Sequence, residues 1–296
     1  MTNINCKFIQ SETQESIKIF EVKAKTTKVC GTIILGNGIG GTMDCANKDL
    51  AKFFSHHGYN AIAFDYRHFG ESDGSPRQLF SIKKQLEDWN SVISYTKKNS
   101  KNLNTTKLVL WGTSFGGSHT LTLGARRNDI DAIIAQCPNV DFLHTVLHTH
   151  PLRLLKLTIN ALLDIVGRSF GASPKLIPLV GELDSSALMV TRDAVLGYPR
   201  HASASRVWRN EITAGFALTL AFYRPIKEAH RITSSLLLCI CNRDSIAIPD
   251  LAYQVVARAK NAKSVGYDCD HFELYEPQHT NQTLKDQLAF LATVLG

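Results

Sequence analysis

The 296-residue chain has no run approaching the roughly 18 apolar residues that a membrane-crossing helix needs. Its start, Met1-Thr2-Asn3-Ile4-Asn5-Cys6-Lys7, lacks the basic-then-apolar pattern of a secretion signal, so a cytoplasmic protein without membrane insertion is the expectation. No internal repeat and no low-complexity segment is found, which excludes repeat arrays. The formal net charge is +7, but the lysines and arginines form no dense stripe and no patch interleaved with aromatics. A solvated basic surface is expected, not a nucleic-acid partner. The seven cysteines, Cys6, Cys30, Cys45, Cys137, Cys239, Cys241 and Cys269, are odd in number and lie mostly in apolar segments. Buried free thiols in a reducing compartment account for them. Cys239-Ile240-Cys241 is too short for zinc spacing, and no metal site is expected.

What is present is an ordinary globular balance, 44% hydrophobic and 20% charged, in a chain long enough for one large α/β domain or a domain with an insertion. Alternating residues at 6–9 and 16–22 predict an antiparallel hairpin at a sheet edge. Apolar runs at 29–35, 60–66, 107–111, 132–138 and 235–242 predict strands, several with the signature of a strand covered on both faces, and a further strand is expected at 262–267. Helices are expected at about 44–57, 81–98, 118–127, 249–260 and 280–295. Strands alternating with helices imply a mostly parallel sheet with right-handed crossovers.

From 141 to 231 the alternation stops. Helical material at 151–166 and 208–221 is mixed with proline- and glycine-rich loops around 171–181 and 197–205. The expected organisation is a core of 1–140 and 232–296 with a helical cap inserted at 141–231. Leu152, Leu155, Ile159, Leu162 and Leu163 are candidates either to line a pocket or to pack this cap onto the core.

The strand at 107–111 runs into Gly112-Thr113-Ser114-Phe115-Gly116-Gly117 and then into helix-forming sequence. Gly-x-Ser-x-Gly arises by accident in many proteins, but at a strand-to-helix turn it reads as a nucleophile elbow. Glycine suits both flanking positions because bulky side chains there would meet neighbouring backbone. The serine oxygen then stands at the strand end over a helix N-terminus, where developing negative charge is favoured.

A serine hydroxyl needs a base, usually histidine, oriented by a carboxylate. Asp244 follows the strand at 235–242 and His271 follows the strand at 262–267, which makes them the natural acid and base. Asp268 and Asp270 adjoin the histidine in sequence and are poorly placed to orient it. His119, five residues past the serine, is expected to be a packed helix histidine. Backbone N–H groups of Phe115 and of Ile39, in the loop Gly36-Asn37-Gly38-Ile39-Gly40-Gly41, are the candidate oxyanion hole. A dinucleotide or phosphate loop fits that segment less well: its glycine spacing differs, and no Walker lysine-serine pair follows.

These motifs, together with Asp65-Tyr66-Arg67-His68-Phe69-Gly70-Glu71-Ser72-Asp73-Gly74, resemble the α/β-hydrolase superfamily over nearly the whole chain. Two positions depart from its pattern: Asn37 stands where many members carry histidine, and His68 where glycine is common. Cys241-Asn242-Arg243-Asp244-Ser245 and Asp270-His271-Phe272-Glu273-Leu274-Tyr275 are similar to the dienelactone-hydrolase and dipeptidyl-peptidase-related branch, whose fungal relatives include polyketide transferases. The resemblance implies an α/β-hydrolase fold with an eight-stranded, mostly parallel sheet, an N-terminal antiparallel hairpin and a helical cap. It implies a serine hydrolase that cleaves an ester, or an amide or thioester, with Ser114, His271 and Asp244 as triad and no cofactor. Acyl transfer by the same residues and a non-catalytic ligand receptor are the alternatives. Epoxide and haloalkane hydrolysis are disfavoured, since those relatives carry aspartate where Ser114 stands. The expected partner is a small-molecule acyl substrate, with no nucleic acid, and a homodimer is left open.

Overall fold

A computed structural model describes residues 4–296. The chain enters through β1 (Ile4–Gln10), which pairs antiparallel with β2 (Ser16–Val22), as the alternating pattern predicts. β3 (Gly31–Gly36) leads through a glycine-rich loop to α1 (Asn47–His56), and β4 (Tyr59–Phe64) through a polar loop to α2 (Ile82–Lys98) and a short α3 (Ser100–Leu103). β5 (Leu108–Thr113), α4 (Phe115–Arg126) and β6 (Ala132–Gln136) follow. Ser81 caps α2 from an extended conformation, its side chain accepting the Lys84 N–H.

Between β6 and the resumed alternation lie α5 (Phe142–Leu147), α6 (Pro151–Ser169), β7 (Leu176–Ile177), α7 (Arg192–His201), β8 (Ile212–Thr213) and α8 (Ala217–Leu220). β9 (Ser235–Cys241), α9 (Pro249–Arg258), β10 (Ala262–Tyr267) and α10 (Pro277–Leu295) complete the order. Eight strands among the described residues form one sheet in the order β1-β2-β4-β3-β5-β6-β9-β10, and β7 pairs with β8 in a second, two-stranded one. From β4 through β10 the neighbours in the large sheet are parallel, while β2 runs antiparallel to β1 and β4.

Every residue of β3, β4, β5 and β6 is buried. Successive side chains of a strand point to opposite faces. Ile33, Leu35, Val109 and Trp111 therefore join one apolar cluster, completed by Phe54 of α1 and Leu291 of α10. Ile34, Leu108, Leu110 and Ile133 join another, completed by Trp89 of α2, Leu121 of α4 and Val255 of α9. The sheet is thus held between two helical layers, and its polar loops are left to emerge at the carboxyl ends of the strands. One of them is fastened by Arg67, a fully buried guanidinium that meets Asp88 of α2, Glu15 at 2.8 Å and Glu87 at 2.9 Å.

Three expectations for 141–231 are corrected. Residues 208–221 do not form one helix: they hold β8, the 3₁₀ turn Ala214–Phe216 and the short α8. Hydrogen bonds outside the segment divide it, because Gly215 N–H donates to the buried Asp164 carboxylate at 2.9 Å and Ala214 N–H to the Lys175 carbonyl at 2.9 Å. The expected loop at 197–205 begins instead within α7, which contains Gly197 and Pro199. A Cβ at Gly197 would stand 2.2 Å from the Phe272 Cβ, so this glycine serves close packing and not a turn. Leu152, Leu155, Ile159, Leu162 and Leu163 do not pack into the core, and none of them is among the walls of the cleft at Ser114. They are 47–66% exposed, because α6 turns Leu157, Ala161 and Asp164 inward.

His119 is the packed helix histidine that its place on α4 suggests. It is fully buried, with its ring nitrogens 2.8 Å from the Tyr223 hydroxyl and 2.9 Å from Gln85 Oε1. Burial pushes its pKa down to about 3. An unfolded histidine binds its proton near pH 6.5, so this site makes the fold less stable as pH falls from 6.5 toward 3, by up to about 1.4 kcal/mol per unit. A His119→Gln variant should show a shallower loss of urea midpoint between pH 6.5 and 4.5 than the wild type. Equal slopes would contradict the assignment.

Candidate active site

Ser114 sits where β5 turns into α4, at φ +53° and ψ −118°, a conformation that L-residues seldom adopt. Its N–H donates to the Gln136 carbonyl at 2.8 Å, and its carbonyl accepts the Ser118 N–H at 3.1 Å. The strained residue is held from both sides. A Cβ at Gly112 would stand 2.3 Å from the Gly116 carbonyl oxygen, and one at Gly116 would stand 2.4 Å from the Asn37 carbonyl oxygen. Both glycines are there because backbone passes backbone.

His271 follows β10. Its Nε2 lies 3.0 Å from Ser114 Oγ and its Nδ1 2.6 Å from Asp244 Oδ2. Asp244 follows β9 and is fixed by the turn after it, its Oδ1 accepting the N–H groups of Ile246 at 2.8 Å and Ala247 at 2.7 Å. Burial pushes the Asp244 pKa above its ordinary value, with His271 acting against that. For His271, burial works toward the neutral ring, but the adjoining Asp244 carboxylate prevails and carries the pKa above the ordinary imidazole range. The two neighbouring acids do other work. Asp270 accepts the N–H groups of Phe272 and Glu273 at 3.0 and 2.9 Å, shaping the turn that presents His271, and Asp268 pairs with Arg243 at 3.5 Å.

The two candidate N–H donors belong to the start of α4 and to the loop after β3. Phe115 is the first residue of α4, so its N–H is one of those with no partner inside the helix. Ile39 is an inner residue of the turn closed by Gly41 N–H on the Gly38 carbonyl at 3.2 Å, a bond that leaves Ile39 N–H aside. Glycine at 38 lets this loop close on the nucleophile: a Cβ there would be 3.2 Å from Ser114 Cβ. Asn37 fastens the loop, its side chain donating to the Phe64 carbonyl at 3.0 Å. Asp65 ties the neighbouring loops together by accepting the N–H groups of Met43 at 2.7 Å and Glu71 at 2.9 Å. His68 adopts φ +72°, the left-handed conformation for which glycine is the usual residue.

Sequence reasoning missed several groups here. Tyr198 of α7 donates its hydroxyl to the Ile39 carbonyl, bracing the loop from α7, and His201 stands beside it in the same cleft. Burial pushes the His201 pKa down to about 4. Neither residue carried a sequence signal, because Gly197 and Pro199 disguised the helix. Cys137 Sγ lies 4.0 Å from His271 Nε2 and 3.5 Å from the Tyr275 hydroxyl. Its place one residue past β6, the strand beside β5, was the available clue. The cleft at Ser114 is narrow and open to solvent, and Ile39, Leu50, Met189, Tyr198 and Phe272 are among its walls.

A strand-to-helix serine, a parallel sheet and helices on both faces define an α/β hydrolase. The sequence profile of the serine aminopeptidase S33 family matches residues 27–270, and the chain belongs to that family. It is 35% identical over 263 residues to the quorum-quenching protein AidA of Acinetobacter baumannii, covering 89% of this chain and 86% of that protein. It is 31% identical over 150 residues to the polyketide transferase grgF of a Penicillium species, covering 51% of this chain and 49% of that protein. The crystal structure of the α/β hydrolase GrgF from Penicillium sp. sh18 superposes with a TM-score of 0.83 at 20% identity, over 99% of each chain. No helix among the described residues is long and apolar enough to cross a membrane.

The glycine contacts predict opposite outcomes at two positions. Gly116→Ala forces backbone apart and should cost roughly 3 kcal/mol or more. Gly167→Ala, in α6, has only the Ala172 Cβ at 3.5 Å and should be neutral or stabilising by up to about 1 kcal/mol. Denaturant midpoints of the two variants check this, and a Gly116→Ala chain of wild-type stability would contradict the packing.

Proposed function

We propose that this hydrolase cleaves a carboxylic ester through an acyl-enzyme, with amides and thioesters as the related carbonyl substrates, using Ser114, His271 and Asp244 as its triad. The observation that carries the reading is the continuous hydrogen-bonded line from Ser114 Oγ through the His271 ring to Asp244, at 3.0 and 2.6 Å. His271 Nε2 takes the hydroxyl proton as Ser114 Oγ bonds to the substrate carbonyl carbon. Asp244 holds the ring by Nδ1–H and stabilises the imidazolium that forms. The Ile39 and Phe115 N–H groups receive the oxyanion. His271 then gives its proton to the departing alcohol, and water, deprotonated by the same ring, releases the acid.

In this reading the segment 141–231 acts as a cap, contributing Met189, Tyr198 and His201 to the cleft over Ser114. A second reading is supported by the name of one relative, polyketide transferase: the same acyl-enzyme resolved by an alcohol or amine. Product analysis with and without an added nucleophile separates the two.

A fluorophosphonate probe should label Ser114, and a panel of acyl esters should be turned over by the wild type and not by Ser114→Ala. Turnover by both would overturn the mechanism. Asp244→Asn should lower kcat by about 10⁴. The Asp244 carboxylate raises the His271 pKa, so its loss should also move the rising acid limb of residual activity to lower pH. A limb that stays in place would deny the proposed role of Asp244.

A further inference from the structure

Asn47 opens α1 and lines the same cleft as Ser114, His271 and Ile39. Its residue exposure is 2%, and its side-chain amide nitrogen has no hydrogen-bond partner. A buried donor left unpaired costs roughly 1–3 kcal/mol, and native structures keep few of them. The contrast with Asn37 is direct, because that residue lines the same cleft and its amide is satisfied by the Phe64 carbonyl.

The surroundings of Asn47 offer it nothing else. The residue before it, Ala46, occupies the N-cap and brings no side-chain oxygen to the helix start. The N–H groups of Lys48 and Asp49 turn instead to the carbonyls of Met43 and Ala46, at 2.9 and 3.0 Å. Asp49, the acidic residue of the first turn, points into solvent and meets Lys52 at 2.7 Å. The first N–H groups of the helix are thus satisfied by protein carbonyls, and the Asn47 amide nitrogen alone is left beside the cleft without a protein acceptor. No lysine or arginine lines that cleft, so the missing acceptor is a neutral oxygen and not a carboxylate.

We propose that Asn47 recognises a second oxygen on the substrate: its amide N–H donates to a ketone, hydroxyl or ether oxygen displaced along the chain from the scissile carbonyl. The preferred substrates are then oxygen-substituted esters, not plain alkyl esters. Leu50, Met189 and Phe272, in the same cleft, take the carbon skeleton. The inference rests on Ser114 as nucleophile, and it adds the chemical class on which Ser114 acts. The oxygen can lie on the acyl or on the alcohol side, a distinction that the experiment makes.

Two matched ester series test it. One compares a straight-chain acyl ester with analogues that carry an oxo group at successive acyl positions. The other holds the acyl group constant and compares an alkyl alcohol with its ether-containing analogue. Each ester is measured both by hydrolysis and as a competitor of fluorophosphonate labelling at Ser114, so the comparison stands even for an ester that binds without turnover. In at least one series the wild type should prefer the oxygenated member by about tenfold or more in kcat/KM or in protection, an effect of the size a single buried hydrogen bond supplies. In Asn47→Leu, of similar volume and without the amide, that ratio should collapse toward one whichever way the absolute rates move. In Asn47→Asp, which accepts instead of donating, it should fall below one. A wild type with no preference in either series overturns the inference, as does a preference that survives in Asn47→Leu. Labelling of Ser114 in all three proteins separates this from the mechanism, since failure of the nucleophile assignment would abolish labelling in the wild type itself.

Discussion

The Asn37 carbonyl oxygen lies where a Cβ on Gly116 would be only 2.4 Å away, and the placement of the site depends on that contact. It brings the loop after β3 against the turn after β5, two segments that neighbouring strands of the sheet already deliver side by side. Because glycine stands at 112 and 116, the turn can tighten until Ser114 adopts φ +53° directly before the first residue of α4. The strain in such a conformation is of order 1–3 kcal/mol. The buried strands and α4, packed on both sides of the turn, hold it there. Tyr198 of α7 then braces the facing loop, and Asn37, within that loop, ties it to the Phe64 carbonyl at the end of β4.

Burial governs the electrostatics that follow. Asp244 and His271 are 5% and 2% exposed, so their interaction is little screened by water. The carboxylate is not left to the ring alone, because two backbone N–H groups share its charge. His119 shows the converse: a histidine equally buried, with neutral partners, is kept uncharged. Two histidines on one scaffold are driven in opposite directions by what stands beside them. Only the one facing a carboxylate is suited to accept a proton from a serine.

Much of this was legible in the sequence, for physical reasons. Strands covered on both faces must be apolar throughout, so β3 to β6 and β9 announce themselves, and the order of strand ends alone puts Ser114, Asp244 and His271 at one edge of the sheet. Glycines forced by close contact marked the turn. Residues 141–231 are less legible because their cues have two meanings. Gly197 and Pro199 usually interrupt helices, yet here the glycine makes room for Phe272 inside α7. The apolar residues of α6 have helical spacing whichever way they face, and composition could not say that Leu152 and Leu163 would stand in solvent. Asn47 carried no signal, because an asparagine is informative only once its hydrogen bonds are counted.

The central claim is that Ser114 Oγ becomes covalently acylated. It is tested most directly by mixing the protein with an activated ester, quenching in acid within the first turnover, and measuring the peptide that contains Ser114 by mass spectrometry. The account predicts that this peptide gains the mass of the acyl group and loses it as product appears. Turnover with no acylated Ser114 peptide at any quench time, or with the acyl mass on Cys137 or another side chain, would contradict it.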